Sequence, residues 1–473
     1  MGWSLLTLLL LVTTASAQRE ICLSGDDNPY LLFGTKTAYI FANRGVPNLK
    51  AHDVPGCTPI ALWLVNRHGS HNPEANEIAL LQSLSNVRKN IIDNYRRGEY
   101  RNFNERICSS DLNLLQQWSW NPRHNITYAG DLTSDGYTTT QHLAQAFRQK
   151  FPGLLTNNRH DYMFKLADDK LSNKSLGAFM EGLFRTQADD LDVLKEVDDK
   201  LLRPYKACSG WESAVEQNNE TYSQKYIFES KREFKEMITN ISQRLGFNYD
   251  MSLEVAQRMY QICRYNKAWD VSQISPWCAA FTRQDLKRFE YSEDLESYYK
   301  FGYGSPTNRK LGCPLVKELV DFFTKHVEND PPQQPRALVH FTDAPSILMT
   351  IVAMGTHRDS APLTGDNYHT NMVQSRKWST SNMSPFNANL AAALYKCTPN
   401  GKFQYNEMYQ VLFLENEKTM NMDGCKVGLC DWSYVKNRFA EVISQCNTES
   451  CNAAASLSSL VSLIVVTLVI VQL

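Results

Sequence analysis

The chain contains the run Leu62-Trp63-Leu64-Val65-Asn66-Arg67-His68-Gly69-Ser70-His71-Asn72-Pro73, in which a short apolar segment ends in an arginine, a histidine and a glycine. The segment is short and is followed by turn residues, which predicts a buried strand over residues 59–66. Open α/β sheets bind ligands at the carboxyl edge of their strands, so Arg67 and His68 are expected at such a site. A guanidinium beside an imidazole suits capture of, and attack on, an anionic substrate. The same three residues also occur by chance at solvated strand ends, so the rest of the chain has to support this interpretation.

The composition is that of an ordinary globular protein. The chain has 473 residues, of which 43% are hydrophobic and 21% are charged, with a formal net charge of −1. The length fits one large domain with an insertion, or two domains. No bulk basic surface indicates a nucleic-acid partner, so any anion site must be a local concentration of cations.

Both ends of the chain carry targeting patterns. Residues 1–17 contain an apolar run that ends in Ala15-Ser16-Ala17, which predicts a removed signal peptide. Residues 449–473 combine small residues, a short spacer and an apolar tail that is shorter than the roughly 20 residues of a membrane span. This pattern is typical of a glycosylphosphatidylinositol (GPI) anchor signal with Asn452 as the attachment residue, although a single-pass tail anchor stays open. The expected location is the outer face of the plasma membrane, reached through the secretory pathway.

The cysteines and the glycosylation sequons agree with this route. Twelve cysteines, an even number, fit an oxidising compartment, and Cys425 and Cys430 are close enough in sequence to pair with each other. The cysteines lack CxxC pairs and neighbouring histidines, so no metal site is predicted. Five sequons predict a glycosylated surface, at Asn125, Asn173, Asn219, Asn240 and Asn382.

The hydrophobic periodicity divides the chain into two kinds of structure. Residues 18–184 and 301–448 mix helical patterns with short apolar runs, including strands predicted at 160–166 and 336–341, and are expected to form an α/β core. Residues 185–300 contain long polar-rich helical patterns and little strand-like alternation. They are expected to form an α-helical cap inserted into the core.

Several stretches of the sequence resemble a known family. The Arg-His-Gly run after a strand resembles the histidine acid phosphatases, and the chain as a whole is similar to the multiple inositol-polyphosphate phosphatases within them. The stretches that carry the likeness are Asp131-Leu132-Thr133-Ser134-Asp135-Gly136, Ala178-Phe179-Met180-Glu181-Gly182-Leu183, Leu202-Arg203-Pro204-Tyr205-Lys206-Ala207-Cys208, Ser275-Pro276-Trp277-Cys278, Tyr299-Lys300-Phe301-Gly302-Tyr303-Gly304, and Asn389-Leu390 to Tyr395-Lys396-Cys397. The resemblance implies a central sheet flanked by helices, with a helical cap. It also implies hydrolysis of phosphomonoesters, such as inositol polyphosphates or 2,3-bisphosphoglycerate, through a phosphohistidine and without a metal or other cofactor.

The resemblance assigns roles only where residues match the family pattern. His68 matches the nucleophile, and Arg67 matches the first phosphate-binding arginine. His71 stands where the family pattern has a further arginine, and histidine is charged only at mildly acidic pH. Another arginine is expected at the position of Leu171. Lys170 beside it supplies a charge if the register shifts by one residue, and is otherwise a solvated surface residue.

The largest departure from the family pattern is Val339-His340-Phe341-Thr342-Asp343-Ala344-Pro345. The inositol-polyphosphate branch has a phosphate-binding histidine here, followed two residues later by an acidic proton donor. One alignment puts Asp343 in the place of the histidine and Pro345 in the place of the acid. A shift of one residue makes Asp343 the proton donor and loses only the histidine. His340 has an odd offset from Asp343 along a strand and so faces the opposite side.

Three functional hypotheses remain open. The first is a cell-surface phosphatase with weak or altered turnover, supported by the Arg67–His68 pair. The second is a catalytically silent relative that binds polyanions or a protein partner, favoured by the residues at 71, 171, 343 and 345. The third is a structural or adhesive glycoprotein, which no particular residue favours over the second. Losing one charge-stabilising donor typically costs about 100- to 1000-fold in rate, so several losses could leave little activity.

Overall fold

The computed structural model describes residues 19–25, 29–43, 53–99, 105–187, 192–329, 334–398, 405–426, 428–446 and 451. The predicted signal peptide and the attachment residue Asn452 lie outside these residues, so both stay predictions. No helix within the described ranges is long and apolar enough to cross a membrane.

The strands of the described residues form a large mixed sheet and a two-stranded one. They are β1 (Arg19–Ile21), β2 (Cys57–Arg67), β3 (Glu105–Ile107), β4 (Tyr162–Leu166), β5 (Leu194–Val197), β6 (Ala337–Thr342), β7 (Asn389–Cys397), β8 (Tyr409–Glu415), β9 (Lys418–Thr419) and β10 (Leu429–Asp431). The large sheet has the order β10-β8-β7-β2-β6-β4-β5, with β9 paired to β8, whereas β1 and β3 pair with each other. Strands β2, β6, β4 and β5 are parallel, and β7, β8 and β10 complete the sheet in antiparallel pairs.

Helices cover both faces of the large sheet, which confirms the α/β fold. They are α1 (Tyr39–Ala42), α2 (Ala75–Gln82), α3 (Leu84–Arg97), α4 (Ser109–Gln117), α5 (Ser134–Lys150), α6 (Lys170–Phe184), α7 (Asp199–Leu202), α8 (Ser209–Trp211), α9 (Glu220–Ser230), α10 (Arg232–Arg244), α11 (Leu253–Trp269), α12 (Arg283–Lys300), α13 (Pro306–Glu328), α14 (Ala344–Met354), α15 (Asn371–Gln374), α16 (Thr380–Met383) and α17 (Trp432–Ser444). Strand β5 falls within the range 185–300 that was predicted to be a helical cap, but it pairs with β4 in the large sheet. The helical segment that follows β5 therefore begins at Asp199 and not at residue 185.

Strand β2 lies at the centre of the sheet because both of its faces are apolar. Trp63 and Val65 belong to the core that includes residues of α13 and α14, whereas Leu62 and Leu64 belong to the core that includes residues of α5 and α6. A strand buried on both faces reads as a continuous hydrophobic run, which is the pattern that predicted it.

The carboxyl ends of β2 and β6 meet at one edge of the sheet. Arg67 is the register partner of Thr342. The backbone N–H of His68, one residue further, donates to the carbonyl oxygen of Thr342 at 2.9 Å. The residues that follow the two strands, His68 and Asp343, are therefore brought to the same edge although 275 positions separate them in the chain.

All twelve cysteines are paired. The disulfides are Cys22–Cys108, Cys57–Cys397, Cys208–Cys451, Cys263–Cys278, Cys313–Cys446 and Cys425–Cys430, so the predicted local pair is confirmed. The sequon asparagines lie at the surface: Asn173, Asn219, Asn240 and Asn382 are exposed, and Asn125 is half-exposed. Their glycosylation stays a prediction.

Two glycines let the turn after β2 pack against the start of α5. A methyl group at Gly69 would lie 2.7 Å from the carbonyl oxygen of Gly136, and one at Gly136 would lie 2.2 Å from the carbonyl oxygen of Ser70. Thr133 fixes the approach, since its N–H donates to the Ser70 carbonyl at 2.9 Å and its hydroxyl caps α5 at the N–H of Gly136. The glycines of Arg67-His68-Gly69 and Asp131–Gly136 are thus two halves of one backbone contact.

Replacing Gly136 by alanine is expected to destabilise the protein by about 2 kcal/mol, because the added carbon must push the backbone of Ser70 away. The higher helix propensity of alanine offsets only part of this. The measurement is the free energy of unfolding in denaturant. The control is Gly153→Ala, where an added methyl group meets nothing within 4 Å, and equal stability changes at the two positions would contradict the packing argument.

Strand β6 carries a buried histidine, His340, that pairs with Glu318 of helix α13. His340 is fully buried, with Nδ1 2.9 Å from the carbonyl oxygen of Leu64 and Nε2 2.7 Å from Oε2 of Glu318. Lys165 lies 3.1 Å from the other carboxylate oxygen of Glu318. Burial opposes ionisation of Glu318, but His340 and Lys165 outweigh it and lower the pKa of this carboxyl to about 2.

Replacing His340 by alanine is expected to cost about 3 kcal/mol at neutral pH, because it removes one partner of a buried pair. His340 and Lys165 together hold the folded-state pKa of the Glu318 carboxyl below its ordinary value of 4.5, so the share of this stabilisation that His340 supplies is present at pH 4.5 and is lost as the pH falls to about 2. The stability difference between the protein and the variant should therefore shrink over this range.

Denaturant unfolding at a series of pH values measures that difference. The matched control is His326→Ala, which removes another buried histidine whose ring contacts the carbonyl oxygen of Phe322 at 2.9 Å. A deficit for His340→Ala that stays constant from neutral pH to about 2, as we expect for the control, would contradict the role of the ion pair.

Candidate functional site

Arg67 is a buried guanidinium held at the end of β2. Only 5% of the residue is exposed. One Nη donates to the carbonyl oxygens of Thr35 and, at 2.8 Å, Ser384, and the guanidinium lies 4.5 Å from the ring centre of Phe386. Its Nε–H is buried and has no hydrogen-bond acceptor among the described residues. The guanidinium therefore brings a positive charge, held in place by backbone carbonyl oxygens, to the end of β2.

His68 is held as a neutral imidazole. Its Nδ1 lies 3.0 Å from the carbonyl oxygen of Gly69, a contact that requires the proton on Nδ1 and leaves the lone pair on Nε2. Burial is the main cause that lowers the pKa of His68 to about 3, and the charges of Arg67 and Arg203 act in the same direction. The ring is therefore uncharged, and Nε2 is available as a nucleophile, over most of the pH range.

His71 lies beside His68 and is also neutral. The two ring centres are 5.1 Å apart with their planes at 69°, and Nδ1 of His71 lies 2.7 Å from the carbonyl oxygen of Asn72. Burial lowers the pKa of His71 well below its ordinary value, and His68, Arg67 and Lys36 lower it further. His71 can offer a hydrogen bond to a phosphate but not the permanent charge of an arginine.

Asp343 lies at the same edge as His68, where it begins α14. Its Oδ1 accepts from the backbone N–H of Ser346 at 3.1 Å and lies 3.0 Å from the Ser346 hydroxyl. Its Oδ2 accepts the hydroxyl hydrogen of Tyr205 at 2.5 Å. The negative charge of Asp343 acts to raise the pKa values of both Arg67 and Arg203, so the carboxylate lies within electrostatic reach of the two guanidinium groups.

Three residues that sequence reasoning missed also belong to this site. Arg203 donates to Asp199 at 2.7–2.9 Å and to Asp169 at 3.1 Å, and its charge reaches His68. Tyr205 holds Asp343. Arg203 and Tyr205 lie in the Leu202–Cys208 stretch that contributes to the family resemblance, but the sequence alone assigns no role to either of them.

The third missed residue is Lys36, in the turn Gly34–Lys36. Its ammonium lies 5.3 Å from the ring centre of Tyr265. Burial lowers the pKa of Lys36, and Arg264 and Arg67 lower it further, whereas Glu77 and Glu293 act in the opposite direction. The turn is in a loop-rich part of the chain, where neither periodicity nor a motif marked it.

Two other residues considered in the sequence, Lys170 and His340, are each paired with an acidic side chain. Lys170 is exposed, and its Nζ pairs with Oδ1 of Asp131 at 2.6 Å. Among the contacts of the described residues, none joins Lys170 to His68 or Arg67. His340 lies in the pair with Glu318 and contacts the ring of Trp63 at 5.9 Å between ring centres, away from Asp343.

The assembled site is suited to a phosphate group. Arg67, Arg203 and Lys36 bring three cations to the neighbourhood of two neutral histidines, and buried charges act strongly because little water screens them. The carboxyl group of Asp343 lies at the same edge. An imidazole, cationic groups and a carboxyl group are thus brought together, which are the kinds of group that phosphoryl transfer through a covalent intermediate uses.

The comparisons with known proteins agree with this chemistry. The chain is 34% identical over 459 residues to multiple inositol polyphosphate phosphatase 1 of Drosophila melanogaster, with 96% of this chain and 94% of that protein covered. It is 27% identical over 461 residues to the Homo sapiens protein of the same name, with 91% and 90% covered.

Solved structures share the fold. The phytase from D. castellii superposes with a TM-score of 0.65 at 18% identity, covering 92% of this chain and 90% of that one. The multiple inositol polyphosphate phosphatase of Bifidobacterium longum, in complex with inositol hexasulfate, superposes with a TM-score of 0.63 at 12% identity, covering 87% and 98%. Residues 61–413 match the histidine phosphatase superfamily (branch 2), and the chain belongs to that family.

Proposed function

We propose that this protein hydrolyses phosphomonoesters of the inositol-polyphosphate or 2,3-bisphosphoglycerate class through a phosphohistidine on His68. The observation that carries the proposal is the state of His68, whose Nδ1 lies 3.0 Å from the Gly69 carbonyl oxygen, so that the lone pair of the ring is on Nε2, and whose burial beside the charge of Arg67 keeps the ring neutral. The names of the relatives and the inositol hexasulfate bound to the Bifidobacterium longum structure support a highly phosphorylated or sulfated ring as the ligand class.

The reaction follows from the groups at the sheet edge. Nε2 of His68 attacks phosphorus, and the positive charges of Arg67 and Lys36, which act on His68 and His71, stabilise the charge on the phosphoryl oxygens. Asp343 gives a proton to the leaving alcohol oxygen as its bond to phosphorus breaks. Water then attacks the phosphohistidine, Asp343 takes back a proton, and the bond between phosphorus and His68 breaks to release phosphate.

One observation favours a second candidate function. His71 is neutral where the family pattern has an arginine, so the site has one permanent charge fewer for the transition state. We infer that turnover is slow. In the limiting case the protein is a silent polyanion-binding glycoprotein of the cell surface.

Replacing His68 by alanine is expected to lower kcat roughly 1000-fold or more, because it removes the nitrogen that forms the covalent intermediate. Phosphate release from inositol hexakisphosphate, 2,3-bisphosphoglycerate and 4-nitrophenyl phosphate measures this. Rapid acid-free quenching of the unsubstituted protein should also trap phosphate on a histidine.

The matched control is His369→Ala, which removes an exposed histidine paired with Glu233 and should leave kcat unchanged. Background rates for all three proteins, together with measurable binding of inositol hexakisphosphate, would overturn the enzymatic proposal and favour the silent candidate.

The pH dependence tests the neutral state of His68. Burial and Arg67 lower its pKa to about 3, so the attacking form is lost only as the pH falls toward that value and not near the ordinary value of 6.5. We expect kcat/KM to fall on the acid side only close to pH 3. The profile should be recorded with two substrates whose phosphate groups ionise at different pH, because a limb common to both belongs to the protein. A common acid limb near pH 6.5 would contradict the geometry around His68.

A further inference from the structure

The segment Leu202–Tyr205 is fastened to the start of α14. The hydroxyl of Thr342 donates to the carbonyl oxygen of Leu202 at 2.8 Å, and the hydroxyl of Ser346 reaches the same carbonyl. Tyr205 returns a hydrogen bond to Asp343 at 2.5 Å. Two carbonyl contacts and one carboxylate contact therefore join the two segments on either side of Asp343.

The phenol of Tyr205 is itself fixed. Tyr205 is 9% exposed, and its ring packs against Trp211 and Phe301 with ring centres 5.2 and 6.3 Å apart. Two residues earlier in the chain, Arg203 is bound to Asp169 and Asp199. The hydroxyl of Tyr205 therefore approaches Asp343 from a direction set by the surrounding structure.

These contacts fix the orientation of the Asp343 carboxyl group. Oδ1 accepts from the N–H of Ser346 and lies 3.0 Å from the Oγ of Ser346, which also contacts the Leu202 carbonyl. Oδ2 accepts from Tyr205. Both oxygens are therefore held, and rotation of the carboxyl group is opposed from two sides.

We propose that Tyr205 is a positioning residue that makes Asp343 an effective proton donor to the leaving alcohol. Its O–H fixes the orientation of the carboxyl group and stabilises the carboxylate that remains after transfer. The inference rests on the proposed function. In the first step Nε2 of His68 forms a bond to phosphorus as the bond between phosphorus and the leaving oxygen breaks, the proton of Asp343 moves to that oxygen, and the new carboxylate keeps the hydrogen bond from Tyr205.

The leaving group provides the test. An inositol alkoxide is a poor leaving group and needs a proton, whereas 4-nitrophenolate leaves without one. For Tyr205→Phe we expect kcat/KM on inositol hexakisphosphate, which reports the steps up to release of the leaving alcohol, to fall about tenfold to a hundredfold, which is part of the usual contribution of a general acid. On 4-nitrophenyl phosphate, kcat/KM should change less than about threefold, because phosphorylation of His68 by this substrate does not draw on the acid, and the later attack of water does not enter kcat/KM.

Asp343→Asn should show the same selective loss. Adding Tyr205→Phe to Asp343→Asn should then have no further selective effect, because Tyr205 acts through the carboxyl group that is already gone. The matched control is Tyr162→Phe, at the start of β4. It removes a phenol hydroxyl that donates to the carbonyl oxygen of Thr156 at 2.7 Å. It should leave the ratio of the two rates unchanged.

The outcomes distinguish failure of the positioning role from failure of the proposed function. Equal losses on the two substrates for Tyr205→Phe, or a selective loss that persists in the Asp343→Asn background, would overturn the positioning role. An unsubstituted protein that hydrolyses neither substrate would overturn the proposed function itself. A lower yield of folded Tyr205→Phe does not affect the test, since the ratio of two rates is measured on the same preparation.

Discussion

The site depends on the in-register parallel pairing of β2 with β6. This pairing places Arg67 beside Thr342, and so brings the two residues that follow, His68 and Asp343, to one edge of the sheet. The long connection between the two strands contains both the α6 region and the helical insertion, and its path returns Arg203 and Tyr205 to the same edge. A shift of one residue between β2 and β6 would turn the side chains of β6 to opposite faces, exchanging the surroundings of His340 with those of its neighbours.

A second constraint is the balance of charge around the histidines. The site gathers Arg67, Lys36 and Arg203, and such a cluster would repel an additional cation. Burial is the main cause that lowers the pKa values of His68 and His71, and the cations lower them further, so both rings stay neutral. A site that attracts anions therefore also leaves a lone pair on each imidazole. Asp169 and Asp199 hold Arg203 in place.

The sequence was most informative where the chemistry is local. The apolar run before Arg67, the turn after it and the Cys425–Cys430 pair all follow from neighbouring residues, and the structure contains each of them. Strand β5 could not be predicted from neighbouring residues. Its four residues are exposed and show no apolar run, and only the pairing with β4 makes it a strand of the large sheet. Tyr205 and Lys36 were missed for a related reason: their roles come from partners more than thirty positions away in the chain.

At Leu171 the family pattern predicts an arginine, and the sequence has a leucine. Matching to the family pattern looks for an arginine at that point of the chain, and finds leucine beside an exposed lysine that pairs with Asp131. Asp169, the residue that caps the same helix, instead binds the guanidinium of Arg203. A guanidinium is therefore present at the start of α6 although it comes from another segment. A phosphate responds to the net charge that surrounds it, and Asp169 and Asp199 balance the charge of Arg203, so this guanidinium does not replace the charge of the arginine expected at residue 171.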